Sequence, residues 1–380
     1  MRICSRCIYD ERVPSISFDA DGVCVYCRQV ESLAQQYGTG LPKGQARLAE
    51  LVRTIRAQGH GRRYDCVVGV SGGTDSSYLV HWAIEQGLRP LAVHYDNTWN
   101  TAIATQNIRK VLAGTGVDLY THVIDNREAD DIFRAFFLAG VAEIEAATDL
   151  GYAFTLRRAA AFHGVRTILE GHSFIAEGIT PLGRNYFDGR YIQSIHQRFG
   201  RRVLRTYPLM TFWRFLNSAV IDRPKFLRPL WYLGYSKEQA QQLLQEHYGW
   251  EYYGGHHLEN RMTAFCHGIY LPQKFGADLR NNTLAARVRN GVLTREAAWA
   301  EYNTPPRVER QLLEYFCKRL GLSDTEYRHV MAQPPRSWQD YPTYKRRFER
   351  LRPLFAVLAK ADLVPMSFYL KYCFPAKAPQ

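Results

Sequence analysis

No run of about 18 uncharged apolar residues occurs in the sequence, which argues against a membrane-spanning helix. The opening residues, MRICSRCIYDERV, contain no apolar stretch, so no secretory signal is expected and the chain reads as cytoplasmic. No internal repeat of about 20–50 residues and no low-complexity tract is present, which excludes solenoid and tandem-array architectures. Acidic residues are the scarcer charge, with 36 Asp plus Glu against 49 Lys plus Arg and a formal charge of +13. That balance fits a polyanionic partner such as a nucleotide, a nucleotide-sugar, nucleic acid or a membrane surface, without choosing among them. Charged residues make up 22% and hydrophobic residues 46%, so the chain has the apolar content of a folded globular protein. Its 380 residues suggest two or three domains at about 150 residues each. Eight cysteines without a secretion signal point to thiols and metal ligands more than to disulfides.

The hydrophobic pattern divides the chain. Residues 1–30 carry four cysteines with little periodicity. Residues 31–63 read as helix with a break at Gly38–Gly44. From Tyr64 short apolar runs alternate with helical stretches: strands at Asp65–Val70, Pro90–Tyr95, Leu119–Ile124 and Arg166–Glu170, helices at Ser76–Gln86, Thr101–Ala113, Glu128–Glu145 and Tyr152–Phe162. This order predicts an α/β fold, a parallel sheet with helices on both faces, over residues 64–220. Residues 221–380 predict a mostly helical region, with helices at Ser236–Glu246, Asp324–Ala332 and Tyr341–Ala361.

Cys4, Cys7, Cys24 and Cys27 form two C-x2-C knuckles separated by 16 residues. Two such knuckles suit a tetrahedral four-sulfur zinc site of the ribbon type; an iron–sulfur centre or disulfides are the alternatives. A closed four-thiolate site leaves no open position, so the expected Zn2+ is structural. Arginines and acids are interspersed around the knuckles, which favours a folding staple over a phosphate-binding surface.

The segment Tyr64–Tyr78, YDCVVGVSGGTDSSY, joins an expected buried strand to an expected helix. Gly72 and Gly73 let the backbone approach an anion. Ser71, Thr74, Ser76 and Ser77 offer hydroxyls, and the helix N-terminus adds N–H groups and the positive end of its dipole. There is no G-K-[ST] and no third glycine, so the loop is neither a Walker loop nor a dinucleotide fingerprint.

S-G-G-x-D-S-S after a first strand resembles the PP-loop of the N-type ATP pyrophosphatases. The resemblance implies ATP cleaved between the α and β phosphates, with a substrate oxygen adenylated. It implies that Ser71, Gly72, Gly73, Asp75 and Ser76 hold the leaving pyrophosphate and that Asp75 helps bind Mg2+. Val93, Tyr95 and Asp96 at the end of the second strand would meet the adenosine, and Gly171 and His172 would lie at the same edge. Glu177 would serve Mg2+ or the substrate.

A second resemblance lies further on. Tyr248–Thr263, YGWEYYGGHHLENRMT, and Leu271–Asp278, LPQKFGAD, resemble the G-G-K-H-x-E-S-R-x-T and L-P-x-K-F-G-x-D blocks of the N-acetyl sugar amidotransferases of surface-polysaccharide biosynthesis. Thr294-Arg295-Glu296 and the N-terminal C-x2-C pairs are similar too. The resemblance implies a role in lipopolysaccharide or O-antigen assembly, converting an acetamido group of a nucleotide-linked sugar to an acetamidino group with ATP and ammonia. His257, Glu259, Arg261, Lys274 and Asp278 are then the expected substrate residues, since anionic sugars need Arg and Lys donors and hydroxyls need carboxylates. The family's Lys and Ser are His256 and Asn260 here, and a Lys expected after Asp278 is Leu279. No cysteine stands at position 2 and no glycine-rich elbow surrounds one, so ammonia is expected from solution or from a separate glutaminase subunit. The runner-up is a PP-loop tRNA-modifying enzyme, a thiolase or a related adenylating enzyme; scattered cysteines speak against it, and nucleic acid is not an expected partner. The stretch Arg190–Arg205, rich in Arg and free of acids, could meet a nucleotide diphosphate or an acidic surface.

Overall fold

The computed structural model describes residues 2–179, 186–255, 258–306, 308–361, 363–364 and 366–375. Two helices, α1 (Val25–Tyr37) and α2 (Pro42–Gly59), follow the cysteine knuckles. Gly38 ends α1 in a left-handed conformation and Pro42 opens α2, the usual stop and start signals of helices. The sheet comprises β1 (Cys66–Gly69), β2 (Pro90–Asp96), β3 (Leu119–Val123), β4 (Thr167–Leu169) and β5 (Lys225–Leu227). All neighbours are parallel, in the order β3-β2-β1-β4-β5. The crossover helices are α3 (Thr74–Glu85), α4 (Ala102–Thr115), α5 (Asn126–Ala139) and α6 (Ala146–Phe162).

Alternation along the strands builds both layers. Cys66 and Val68 of β1 pack with Leu79, Val80 and Ala83 of α3, Ile108 and Val111 of α4, and Leu48, Val52 and Ile55 of α2. Val67 of β1 and Leu91 and Val93 of β2 point the other way, onto Leu156, Ala159 and Ala160 of α6. Central strands buried on both faces read as apolar runs for this reason. β3 departs from the expectation of a buried strand: Leu119 and Val123 are exposed, because β3 is an edge.

Two expectations of organisation change. The sheet does not stop at residue 220, since β5 pairs with β4 in parallel beyond it. Nor does the helical region stand apart from the sheet domain. It contains α7 (Gly189–Phe199) and α8 (Phe212–Asn217) leading in, α9 (Lys237–Tyr248), α10 (Arg261–Phe265), α11 (Leu271–Phe275), α12 (Arg280–Arg289), α13 (Arg295–Asn303), α14 (Leu312–Leu320) and α15 (Asp324–Ala332). The expected helix over Tyr341–Ala361 is two, α16 (Lys345–Arg350) and α17 (Arg352–Lys360), before α18 (Met366–Tyr372). Phe133, Phe136 and Phe137 of α5 share one core with Phe265, Tyr270 and Phe316. The crossover helix is thus the centre of the helical region, and Phe137 stands 5.3 Å from Phe316 and 5.6 Å from Tyr327, ring to ring.

Candidate active site

The strand order reverses between β1 and β4, and the loop Ser71–Gly73 leaves β1 at that point. Open parallel sheets bind ligands at such a reversal, off the carboxyl ends of their strands. Gly72 sits at φ +83°, and a Cβ there would lie 2.2 Å from the carbonyl oxygen of Ala104. Only glycine satisfies both demands. Its carbonyl accepts from the Trp250 indole N–H at 3.0 Å. Gly73 caps α3 in extended conformation, and its N–H donates to Ser71 Oγ at 3.2 Å. Ser76 Oγ accepts from the Ser71 N–H at 3.2 Å. Ser71 and Ser76 therefore keep hydroxyls at the open side of the loop. Thr74 and Ser77 differ from expectation: both are buried, and the Thr74 hydroxyl accepts from Gln241 at 3.3 Å.

Asp75 is the centre of a charged cluster. Its Oδ2 accepts from Lys237 Nζ at 2.8 Å and its Oδ1 from the Tyr235 hydroxyl. Burial pushes the Asp75 carboxyl up, but the Lys237 ammonium and the Tyr235 hydroxyl outweigh it, and the net shift is downward. For Lys237, burial pulls down while Asp75, Glu177 and Glu259 pull up, and the net shift is upward. The pair is charged on both sides. Glu177 also faces Asp75 and lies 3.6 Å from His172 Nε2. His172 Nδ1 accepts from the Trp231 indole at 3.3 Å. Gly171 packs on the backbone of Asp75 and Ser76. The residues after β4 thus join the loop after β1.

The C-terminal block reaches the same edge. A Cβ on Gly73 would stand 3.2 Å from Tyr253 Oη and 3.3 Å from Glu259 Oε1. The Thr101 N–H donates to the Glu259 carbonyl at 2.8 Å. Asn260 caps α10 through Oδ1, while its amide donates to Asn97 Oδ1 at 2.9 Å and Asn100 Oδ1 at 3.0 Å. Asn107, fully buried, clamps the backbone of Glu251 with bonds of 2.8 and 2.9 Å. Asp96 Oδ1 accepts from the Thr98 N–H at 2.7 Å, ordering the turn after β2. Arg319 stacks over Trp99 at 4.1 Å and donates to the Thr98 carbonyl at 2.6 Å.

The other expected site residues are distributed differently. Val93 and Tyr95 are buried, and the Tyr95 hydroxyl lies 3.0 Å from that of Tyr207. Arg261 lies over Tyr315 at 5.0 Å and 3.5 Å from Glu309. Lys274 is buried and donates to the carbonyls of Val330 and Gln333 at 2.6 and 2.7 Å, closing the end of α15. It lies by Gly140 at the far end of α5, a helix about 20 Å long whose start follows the strand edge. Asp278 makes a bidentate pair with Arg280. Lys274, expected at the substrate, thus holds the end of α15, and Asp278, expected there too, anchors Arg280 at the start of α12. His257 falls outside the described residues. Arg190, Arg198, Arg201, Arg202 and Arg205 are exposed, but the N–H groups of Arg201, Arg202 and Arg205 are held by Asp131 and Glu128 of α5.

Lys237, Tyr235 and Tyr253 were not singled out by sequence reading. Lys237 carried one legible signal: a lysine in the first turn opposes the helix dipole, so its place needs a local anion.

The four knuckle cysteines are buried, with Cys4 and Cys27 sulfurs 3.9 Å apart and Cys7 and Cys24 sulfurs 3.8 Å apart. Four sulfurs about 2.3 Å from one tetrahedral ion would stand about 3.8 Å apart. No disulfide joins them. Backbone N–H groups of Arg6, Tyr9 and Cys24 point at these sulfurs at 3.2–3.4 Å. Beside them lies Arg289, whose Nε and Nη2 are buried without hydrogen-bond partners. A buried guanidinium needs countercharge, which metal-bound thiolates supply and neutral thiols do not. The residues therefore fit a metal centre. It is packed on α12 and α13 through Leu284, Ala285 and Ala298.

Residues 259–353 match the family model described as LPS biosynthesis protein WbpG-like, C-terminal domain. This part of the chain is similar to that C-terminal domain. The matched residues begin at Glu259, which lies against Gly73 of the loop after β1, and the match supports the resemblance to the N-acetyl sugar amidotransferases. No curated protein sequence matches the chain. Among solved structures, NMN synthetase from Francisella tularensis is similar at 12% identity, covering 78% of this chain and 95% of that one, with a TM-score of 0.35. The U34-tRNA thiolase NcsA from Methanococcus maripaludis, solved with its [4Fe-4S] cluster, gives 11%, 85%, 90% and 0.33 for the same quantities. NH3-dependent NAD synthetase from Campylobacter jejuni subsp. jejuni NCTC 11168 gives 12%, 70%, 99% and 0.29. Among the described residues, no helix is long and apolar enough to cross a membrane.

Proposed function

We propose that the chain is an ATP-dependent amidotransferase that converts an acetamido group of a nucleotide-linked sugar to an acetamidino group, releasing AMP and pyrophosphate. The observation that carries this reading is the meeting of two blocks: Glu259, at the start of the WbpG-like region, lies against Gly73 of the phosphate loop.

In this reading Ser71, Gly72, Gly73 and Ser76 cradle the β and γ phosphates with backbone N–H groups and hydroxyls. Lys237 stabilises the charge that grows on pyrophosphate as it leaves. Asp75 and Glu177 would hold Mg2+, for which paired hard oxygen donors are suited and which supplies phosphate charge neutralisation when bound. The sugar's acetamido oxygen attacks the α phosphorus and displaces pyrophosphate, giving an O-adenylated imidate. Ammonia adds to the imidate carbon, a proton is lost, and AMP departs with the former acetamido oxygen. Glu259 and Arg261 orient the sugar at the strand edge. Cys4, Cys7, Cys24 and Cys27 hold a structural Zn2+. Ammonia comes from a separate glutaminase subunit or from solution.

The test is an ATP-to-pyrophosphate assay across a panel of diacetamido nucleotide-sugars, with and without ammonium. The expected products are AMP, pyrophosphate and an amidine carrying N–H in place of one oxygen. Background turnover with every sugar, together with stimulation by unmodified tRNA, would replace this reading with the tRNA-modifying one.

A further inference from the structure

Beyond Asn260, α10 does not continue as a regular α-helix. It passes into a π-helical turn over Cys266–Tyr270 before α11. Such turns carry an extra residue, re-aim neighbouring side chains and recur at functional sites. Here the turn presents Cys266 and His267, adjacent in sequence, to Glu145, the residue just before α6. One ligand atom from each of the three lies within 4.8 Å of the others.

We propose that Glu145, Cys266 and His267 form a second metal site, taking one divalent transition-metal ion of the zinc class. The donor set is one oxygen, one nitrogen and one sulfur. Sulfur and imidazole select zinc-like ions over magnesium or calcium. Tetrahedral zinc with these donors needs ligand atoms about 3.3–3.6 Å apart. His267 Nε2 and Glu145 Oε2 are already 3.6 Å apart, and the three ligand atoms all lie within 4.8 Å of one another.

Three further features favour a cation. Thr263 donates its hydroxyl to Glu145 Oε1, the kind of outer hydrogen bond that orients a ligating carboxylate. Asp149 adds negative charge around Cys266, with Lys371 the cation beside it. Burial is graded, since the Cys266 side chain is enclosed while those of His267 and Glu145 are 29% and 20% exposed. An ion can enter from that side and keep a solvent-facing position open, unlike the closed four-cysteine centre. On binding, the ion replaces the Cys266 thiol proton, which leaves to solvent, and a Zn–S bond forms.

The test counts metal in the full-length protein after Zn2+ loading and removal of loose ions, by plasma mass spectrometry. Wild type should carry about one equivalent more than His267→Ala or Cys266→Ala, while Cys24→Ser should lose the other equivalent. His267→Ala, being partly exposed, keeps the test available where Cys266→Ala disturbs the core. Metal content in both His267→Ala and Cys266→Ala equal to wild type would overturn the site. The count involves no turnover and stands apart from the amidotransferase reading.

Discussion

Lys237 Nζ stands 2.8 Å from Asp75 Oδ2, across 162 positions of sequence. The pair ties the first turn of α9 to the first turn of α3, at the place where phosphates would lie. A lysine there is unfavourable toward its own helix dipole, and Asp75, Glu177 and Glu259 offset that cost.

Lys237→Met should therefore slow pyrophosphate release by about 100-fold, the effect of removing one preorganised donor from a site of developing charge. Melting temperature should fall as well, since the variant leaves the Asp75 carboxylate buried without its cation. Steady-state kinetics beside thermal denaturation separates the two, and an unchanged kcat would remove Lys237 from the mechanism.

Stability should carry the signature of the same pair. The folded Asp75 carboxyl titrates below its ordinary value of 3.8. Its contribution is present above that value and is lost as pH falls through the lowered one. Lys237, raised above 10.5, contributes below that value and loses the contribution as pH rises through the raised one. Asp75→Asn should thus reduce stability at neutral pH and flatten the acid limb. Denaturant titrations carried from neutral pH to well below 3.8 measure it.

Asn260→Ser restores the residue that the resembling family carries. A serine keeps the helix cap, yet it lacks the amide that reaches Asn97 and Asn100. About 1–2 kcal/mol of stability should be lost with those bonds, and ATP turnover should fall as the two blocks loosen. Equal stability of the two forms would mean that the amide bonds contribute nothing net.

Arg261 and Lys274 should separate cleanly. Arg261→Ala should raise the apparent KM for the sugar and leave ATP binding intact. Lys274→Met leaves the carbonyls of Val330 and Gln333 without their charged donor, costing about 2–3 kcal/mol of stability. Its KM should stay at the wild-type value; a raised KM at full stability would return Lys274 to the substrate site.

The four-cysteine centre should behave as part of the C-terminal fold. Arg295 donates to the carbonyls of Cys4 and Cys7, and Tyr9 donates to Asn282 at 2.7 Å. Cys24→Ser should lower metal content and increase proteolysis in α12 and α13, at a cost of several kcal/mol. Full metal occupancy in that variant would sink the four-cysteine assignment.

Local chemistry determined a good part of this protein. The C-x2-C knuckles, the strand-glycine-helix loop and the apolar strands were readable because each is a contiguous segment whose geometry depends on near neighbours. The parallel sheet followed from the alternation of such segments. What tertiary structure decided are the long-range choices. Charged residues of the two resembling blocks went to different places: Glu259 to the loop after β1, Lys274 to the end of α15, Asp278 to Arg280. Periodicity cannot separate these, because a charged residue beside an apolar run satisfies an ion pair and a ligand equally well. Lys237 with Asp75, and Glu145 with Cys266 and His267, meet only when α9 and the π-helical turn pack on the sheet edge. The core around Phe137 sets the packing of the turn and Leu244 sets that of α9 on α3 and α4, through contacts between residues too far apart in sequence for any local pattern to record.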